Sequence, residues 1–158
     1  MSTYCSLLIA LALVQPTDAK TEAPSDAIIR LTNEFRKSEK VSDLKSSKKL
    51  NEIAQAHADN MARQDKYGDS DKNGHVLDDK KLVDRLKAAG YKYRAAGENV
   101  GCGRVLDNPI EAIMDGWKNS PSHRENLARA MFTEMGAGVA QGKSGRWYFV
   151  QVFGKPME

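Results

Sequence analysis

The spacing of apolar residues changes period once along this chain, and the change comes late. Ahead of Met135 the apolar side chains recur every three or four residues: Ile28, Leu31 and Phe35; Leu50, Ile53, Ala54, Ala58 and Met61; Leu82, Val83, Leu86 and Ala89; Ile110, Ile113, Met114 and Trp117. Each set lines one face of a helix. From Met135 onward the pattern becomes strand-like. Met135–Ala140 and Trp147–Phe153 read as two strands, and Gln141–Gly145 between them has the composition of a hairpin loop. Helices first and a hairpin last leave no alternation of strand and crossover helix, so parallel winding is disfavoured and an α+β layered domain follows.

The punctuation supports the same division. Ser25 or Asp26 is placed to cap the first helix, and Asp78 or Asp79 the third, which ends at Gly90. Asn108, Pro109 and Glu111 read as N-cap, N1 and N3 of a capping box, and Pro121 stops that fourth helix. The stretch from Ser38 to Ser47 reads as a loop anchored by Val41 and Leu44. His57 shares the apolar stripe of the second helix, the usual setting of a satisfied core histidine. The aspartates of the polar loop Asp65–Gly74 lack the glutamate that closes an EF-hand. The small residues of Met135–Ala140 invite a helix to lie directly on that strand.

Of the 158 residues, the first nineteen are expected to be removed. Leu7–Val14 is an apolar run too short to span a bilayer, and Thr17-Asp18-Ala19 is a small-x-small cleavage site, so residues 1–19 read as a signal peptide and 20–26 as a linker. The expected location is outside the cytoplasm: secreted, periplasmic or in the cell envelope. Removal of the leader takes Cys5 with it and leaves Cys102 alone, so no intrachain bridge is available and core packing must supply the stability. It also takes Asp18, which raises the net charge from +3 to +4, a mild basicity. No basic stripe interleaved with aromatics suggests nucleic acid, and no second apolar run suggests a membrane span.

Chemistry is concentrated in a few places. Gly97-Glu98-Asn99-Val100-Gly101-Cys102-Gly103 sets a carboxylate among glycines, where the backbone can approach a neighbour closely. Gly74-His75 upstream and Ser120-Pro121-Ser122-His123 downstream each put a histidine in a turn-like context. Glu98 to Gly101 is a candidate third strand.

Taken in order, Gly97–Val100, Trp117–Leu127 and Phe132–Ala140 resemble the SCP domain of the CAP superfamily, named for cysteine-rich secretory proteins, antigen 5 and plant pathogenesis-related proteins. The form is similar to the short bacterial, disulfide-free branch, with the domain at residues 27–156. The resemblance implies an α-β-α sandwich, with a small antiparallel sheet between helical layers and a central cleft. It also implies two histidines and two glutamates in that cleft. By position these are His75, Glu98 and His123, but the second glutamate's place is taken by Ser120; Glu125 and Glu134 are the acids that could approach the cleft, and neither occupies the matching position.

Two imidazoles, His75 and His123, can hold Zn²⁺ through nitrogen, with Glu98 orienting one ring or polarising a bound water. Without a third protein donor such binding is weak and exchangeable. The same trio equally suits a buried hydrogen-bond network. As a catalyst only Glu98 stands out, as base to a metal-bound water in a peptidase-like hydrolase. Ser120 and Ser122 lie too near His123 to make a persuasive nucleophile and base, and Cys102 beside glycines reads as core. The family resemblance implies a binding module instead: a monomer whose cleft meets a small apolar ligand or an extracellular partner. A purely structural envelope protein is the other alternative.

Overall fold

The chain folds around an eleven-residue strand, β2 (Tyr93–Gly103), that forms one edge of the sheet. The structure, a computed structural model, describes residues 22–69, 73–104 and 107–157; the expected leader lies outside them. The helices are α1 (Pro24–Ser38), α2 (Lys48–Gln64), α3 (Leu82–Ala88), α4 (Pro109–Asn119) and α5 (Pro121–Ala128). With β1 (Lys45–Ser46), β3 (Glu134–Gln141) and β4 (Trp147–Pro156), β2 makes a sheet of order β1-β3-β4-β2. The three long strands pair antiparallel, as expected; the two-residue β1, too short to leave a sequence pattern, pairs parallel with β3 and makes the sheet mixed.

Alternation along β4 sorts the core into two layers. Tyr148, Val150 and Val152 pack with Leu50, Ile53 and Met61 of α2 and Leu86 of α3. Phe149 and Phe153 face the other way, onto Ile28 of α1, Met114 and Trp117 of α4 and Leu127 of α5. Helices cover both faces, so the α+β sandwich is the observed architecture.

The glycines of β3 set how closely α2 lies on the sheet. A Cβ at Gly136 would fall 2.1 Å from the backbone of Leu50 and Asn51, and one at Gly138 would fall 2.4 Å from that of Ala54 and Gln55. This contact also lets α2 serve the strand's outer edge. Asn51 Oδ1 accepts the Ala137 N–H at 2.9 Å, and the Gln55 amide bonds both the N–H and the C=O of Val139. Exposed edge groups are thereby paired within the chain.

Several helix ends differ from expectation. α1 begins at Pro24, inside its expected linker, so Ser25 and Asp26 fall in its first turn. α3 starts at Leu82 rather than beside Asp79, because Asp78 and Asp79 both take left-handed backbone angles in a turn whose N–H groups are held by the Asp69 carboxylate. Asp84 then accepts the Lys81 N–H. Asn108 precedes α4 as predicted, but with φ 49° and no side-chain cap, so the capping box does not form. Pro121 ends α4 and also opens α5 at its first position, where a missing N–H costs nothing.

Candidate functional site

Successive residues of β2 send their side chains to opposite layers. Glu98, paired with Val152, faces α2 and α3; Asn99, paired with Gln151, faces α1 and α5. The site is built from that divergence.

The Glu98 side chain is only 3% exposed, and both its oxygens are engaged. Oε2 accepts the Nδ1–H of His75 at 3.0 Å, and Oε1 accepts Arg85 Nη2 at 2.5 Å. Arg85 also donates through Nη1 to the carbonyls of His75 (3.3 Å) and Lys80 (3.0 Å). One guanidinium thus fixes the carboxylate and the backbone of the histidine that the carboxylate holds. The His75 ring keeps its proton on Nδ1 and leaves Nε2 for a ligand, with its side chain 44% exposed.

The loop carrying His75 is pinned from behind. His57 is buried as predicted, and its Nε2–H donates to the Gly74 carbonyl at 2.8 Å. Burial, reinforced by the nearby Arg85 cation, pushes the His57 pKa below its ordinary value, so the ring is neutral near pH 7. Tyr67 lies across Gly74 so closely that a Cβ there would fall 2.4 Å from its ring. Its hydroxyl donates to the Val100 carbonyl at 3.2 Å.

On the opposite face a chain of buried amides does the positioning. Asn99 Nδ2 donates to the His123 carbonyl (3.2 Å) and to Gln151 Oε1 (3.1 Å), while Asn99 Oδ1 accepts from Asn126 Nδ2 (3.0 Å). Asn126 also reaches the Glu98 carbonyl, and Gln151 continues to Thr32 Oγ1 at 2.7 Å. Asn99, Gln151 and Thr32 are fully buried yet bonded, which ties α1, α5, β2 and β4 into one register.

His123 sits in the first turn of α5, its Nδ1 3.0 Å from the Ser120 hydroxyl. Ser120 stands between α4 and α5 and caps no backbone N–H; its hydroxyl serves the imidazole instead. Burial is the main cause that lowers the His123 pKa below its ordinary value.

Four sequence-predicted residues therefore form two bonded pairs, His75–Glu98 and Ser120–His123, astride β2. Beside the second pair lies a cavity of about 350 Å³ lined by Tyr67, Val100, Cys102, Ile113, Trp117 and His123. Trp117 Nε1 is buried there with no hydrogen-bond partner. Glu125 pairs with Arg129 at the surface, and Glu134 accepts the Tyr91 hydroxyl at 2.6 Å, so neither replaces the absent glutamate. Phe132 and Met135 are core, whereas Met131 is 49% exposed. Cys102 is a thiol lining the cavity.

Among the described residues no three His, Cys, Asp or Glu side chains form a metal-ligand set. The ring nitrogens that no described hydrogen bond engages are the Nε2 atoms of His75 and His123, and the two rings line separate hollows. Glu98, 3% exposed and bonded to His75 and Arg85, is placed to orient His75 rather than to meet water.

Arg85 is the site residue the sequence reading missed. Its signal was available: a guanidinium at position 85 falls on the Leu82–Leu86–Ala89 stripe, where a cation needs a buried partner. Asn99 and Asn126 stand within the quoted motifs, but an amide's burial leaves no mark in a single sequence.

The model of the cysteine-rich secretory protein family, CAP, matches residues 29–153. Among curated proteins, the chain is 28% identical over 152 residues to the uncharacterized protein YkwD of Bacillus subtilis, covering 92% of this chain and 55% of that protein. It is 32% identical over 127 residues to the uncharacterized membrane protein YlbC of the same species, covering 80% of this chain and 33% of that one. The chain thus spans about half or less of the length of these relatives. Among solved structures, an outer surface protein from Borrelia burgdorferi superposes with TM-score 0.71 at 20% identity, covering 82% of this chain and 90% of that chain. An extracellular SCP-domain protein from Bacillus anthracis does so with TM-score 0.65 at 24% identity, covering 84% and 40%. At those identities the likeness is one of fold.

Proposed function

The chain belongs to the cysteine-rich secretory protein (CAP) family, and on that premise we propose that it is an extracellular binding module whose cleft captures a small ligand. The observation that carries this reading is the double engagement of Glu98. A general base needs an oxygen open to the water it activates; the Glu98 side chain is 3% exposed, with one oxygen held by Arg85 and the other by His75. Ser120 and His123 are bonded, but among the described residues no third group orients the ring from its other nitrogen, as a triad requires.

What the site offers is binding chemistry. Two imidazole nitrogens can take a divalent ion such as Zn²⁺ weakly, with water in the open positions. The adjoining cavity joins the apolar walls of Val100, Ile113 and Trp117 to the His123–Ser120 pair and an unused indole N–H. That combination suits a small, mostly apolar molecule carrying one hydrogen-bond acceptor. Export from the cytoplasm is part of the proposal, supported by the leader-like first nineteen residues and by structural relatives described as extracellular or outer surface. Among the described residues no helix is long and apolar enough to cross a membrane.

The test is calorimetric titration of the protein with Zn²⁺, alongside the His75→Ala/His123→Ala variant. Weak heats lost in the double variant support the cleft as the site; equal heats contradict it. A peptidase assay on the same preparations checks the catalytic alternative, which requires activity that survives repurification and disappears with Glu98→Gln.

A further inference from the structure

A groove leads away from the His75–Glu98 pair along the outer side of α3. It consists of two adjoining hollows, about 520 and 370 Å³, that share Val83 and Tyr93. One end is walled by His75 and Glu98; the other closes on Tyr91 and Met157. Two features separate it from ordinary surface. Val83 and Met157, 50% and 57% exposed, are two of only three large hydrophobic side chains so exposed among the described residues. Contiguous exposed apolar surface rimmed by charge marks an interaction site. Among the described residues the rim is also of one sign. Lys81, Lys87 and Lys92 line the hollows, and no carboxylate among the described residues pairs with any of these ammonium groups. The single acid in the lining among the described residues, Glu98, is buried and already paired with Arg85.

We propose that this groove docks an acidic peptide segment of a partner protein, in which carboxylates alternate with aliphatic or aromatic residues. Charge complementarity selects the acids: three exposed lysines without carboxylate partners have no ion pair to break on meeting carboxylates at the rim, and they steer the encounter. The apolar floor selects the rest. Tyr93, stacked on Tyr91 at 6.2 Å between ring centroids, and Val83 offer flat apolar surface to side chains from an extended strand. A single acyl chain fits less well, because the groove is shallow and open and would leave much of the chain in water. The surface is small, so the complex is transient and salt-sensitive.

The test is fluorescence anisotropy of the full chain with a labelled short peptide alternating Glu and Leu, at low and high salt. Polyglutamate of equal length and phosphatidylglycerol vesicles serve as comparison probes. Saturable binding to the Glu/Leu peptide is expected, weakened about tenfold or more by Lys87→Glu/Lys92→Glu and several-fold by Val83→Ser. It should persist in Lys37→Glu/Lys143→Glu, which changes net charge equally at exposed positions outside the groove. Thermal melting of each variant confirms folding. Equal loss in both charge-reversal variants, polyglutamate binding as tightly as the mixed peptide, or lysine-dependent binding of vesicles but not of peptide would each overturn the proposal.

Discussion

Glu98 and Asn99 are neighbours on β2 that serve opposite layers of the molecule: Glu98 accepts the imidazole N–H of His75, and Asn99 donates to the main-chain carbonyl of His123. Strand alternation enforces the split, since consecutive side chains must leave a sheet on opposite faces. The two histidines are therefore brought to one edge strand from two separate helical layers. Small movements between those layers change the distance between the rings.

The clamp on Glu98 makes a stability prediction. Arg85→Ala leaves a buried carboxylate without its cation and is expected to cost about 3–5 kcal/mol. The paired change Arg85→Met/Glu98→Gln should cost clearly less than the sum of the single changes. Urea unfolding of the four proteins measures both.

Trp117 is 1% exposed and joins α4 to β2 and β4. Replacing it by alanine is expected to cost about 3–5 kcal/mol, read from the shift in denaturation midpoint. A loss below about 1 kcal/mol would mean that α4 is not packed as described.

Close approach of α2 to β3 predicts that Gly136→Ala is destabilising despite adding only a methyl group. The new carbon would overlap backbone atoms of Leu50 and Asn51, which cannot rotate away. A loss of about 1–3 kcal/mol is expected from such overpacking, whereas Gly145→Ala in the hairpin meets no neighbouring atom and is disfavoured only by its positive φ. Thermal melts of the two variants compare the effects.

Stability also depends on pH through His57, whose pKa is lowered in the folded state. Above the unfolded value of about 6.5 the ring is neutral in both states and its contribution is complete. As pH falls from there through the depressed folded value, the unfolded chain takes up a proton that the native ring resists, and stability drops. Melting temperature should decline less steeply over this range in His57→Gln, which keeps a donor for the Gly74 carbonyl.

Much of this arrangement was legible from residue order. The change of period placed the β3–β4 hairpin after the helices, and the small residues of Met135–Ala140 announced that a helix would lie on that strand, without saying which. What escaped has physical reasons. Pro121 is a stop signal for one helix and a start signal for the next, and a proline alone does not say which. Asn108 carries the identity of a cap but takes left-handed angles, a choice set by the incoming chain. Arg85 was overlooked because its role depends on a carboxylate thirteen positions away, on another element. The set His75, Glu98, Ser120 and His123 was named from the family pattern; its division into the pairs His75–Glu98 and Ser120–His123, and the amide chain through Asn99 and Gln151, needed coordinates.

The most direct measurement is the ring-nitrogen NMR spectrum of the three histidines during a Zn²⁺ titration. The Nε2 signals of His75 and His123 should shift together with one saturation curve while His57, whose Nε2–H is held by Gly74, stays in place. Independent curves for His75 and His123, or movement of only one of them, would contradict a shared cleft.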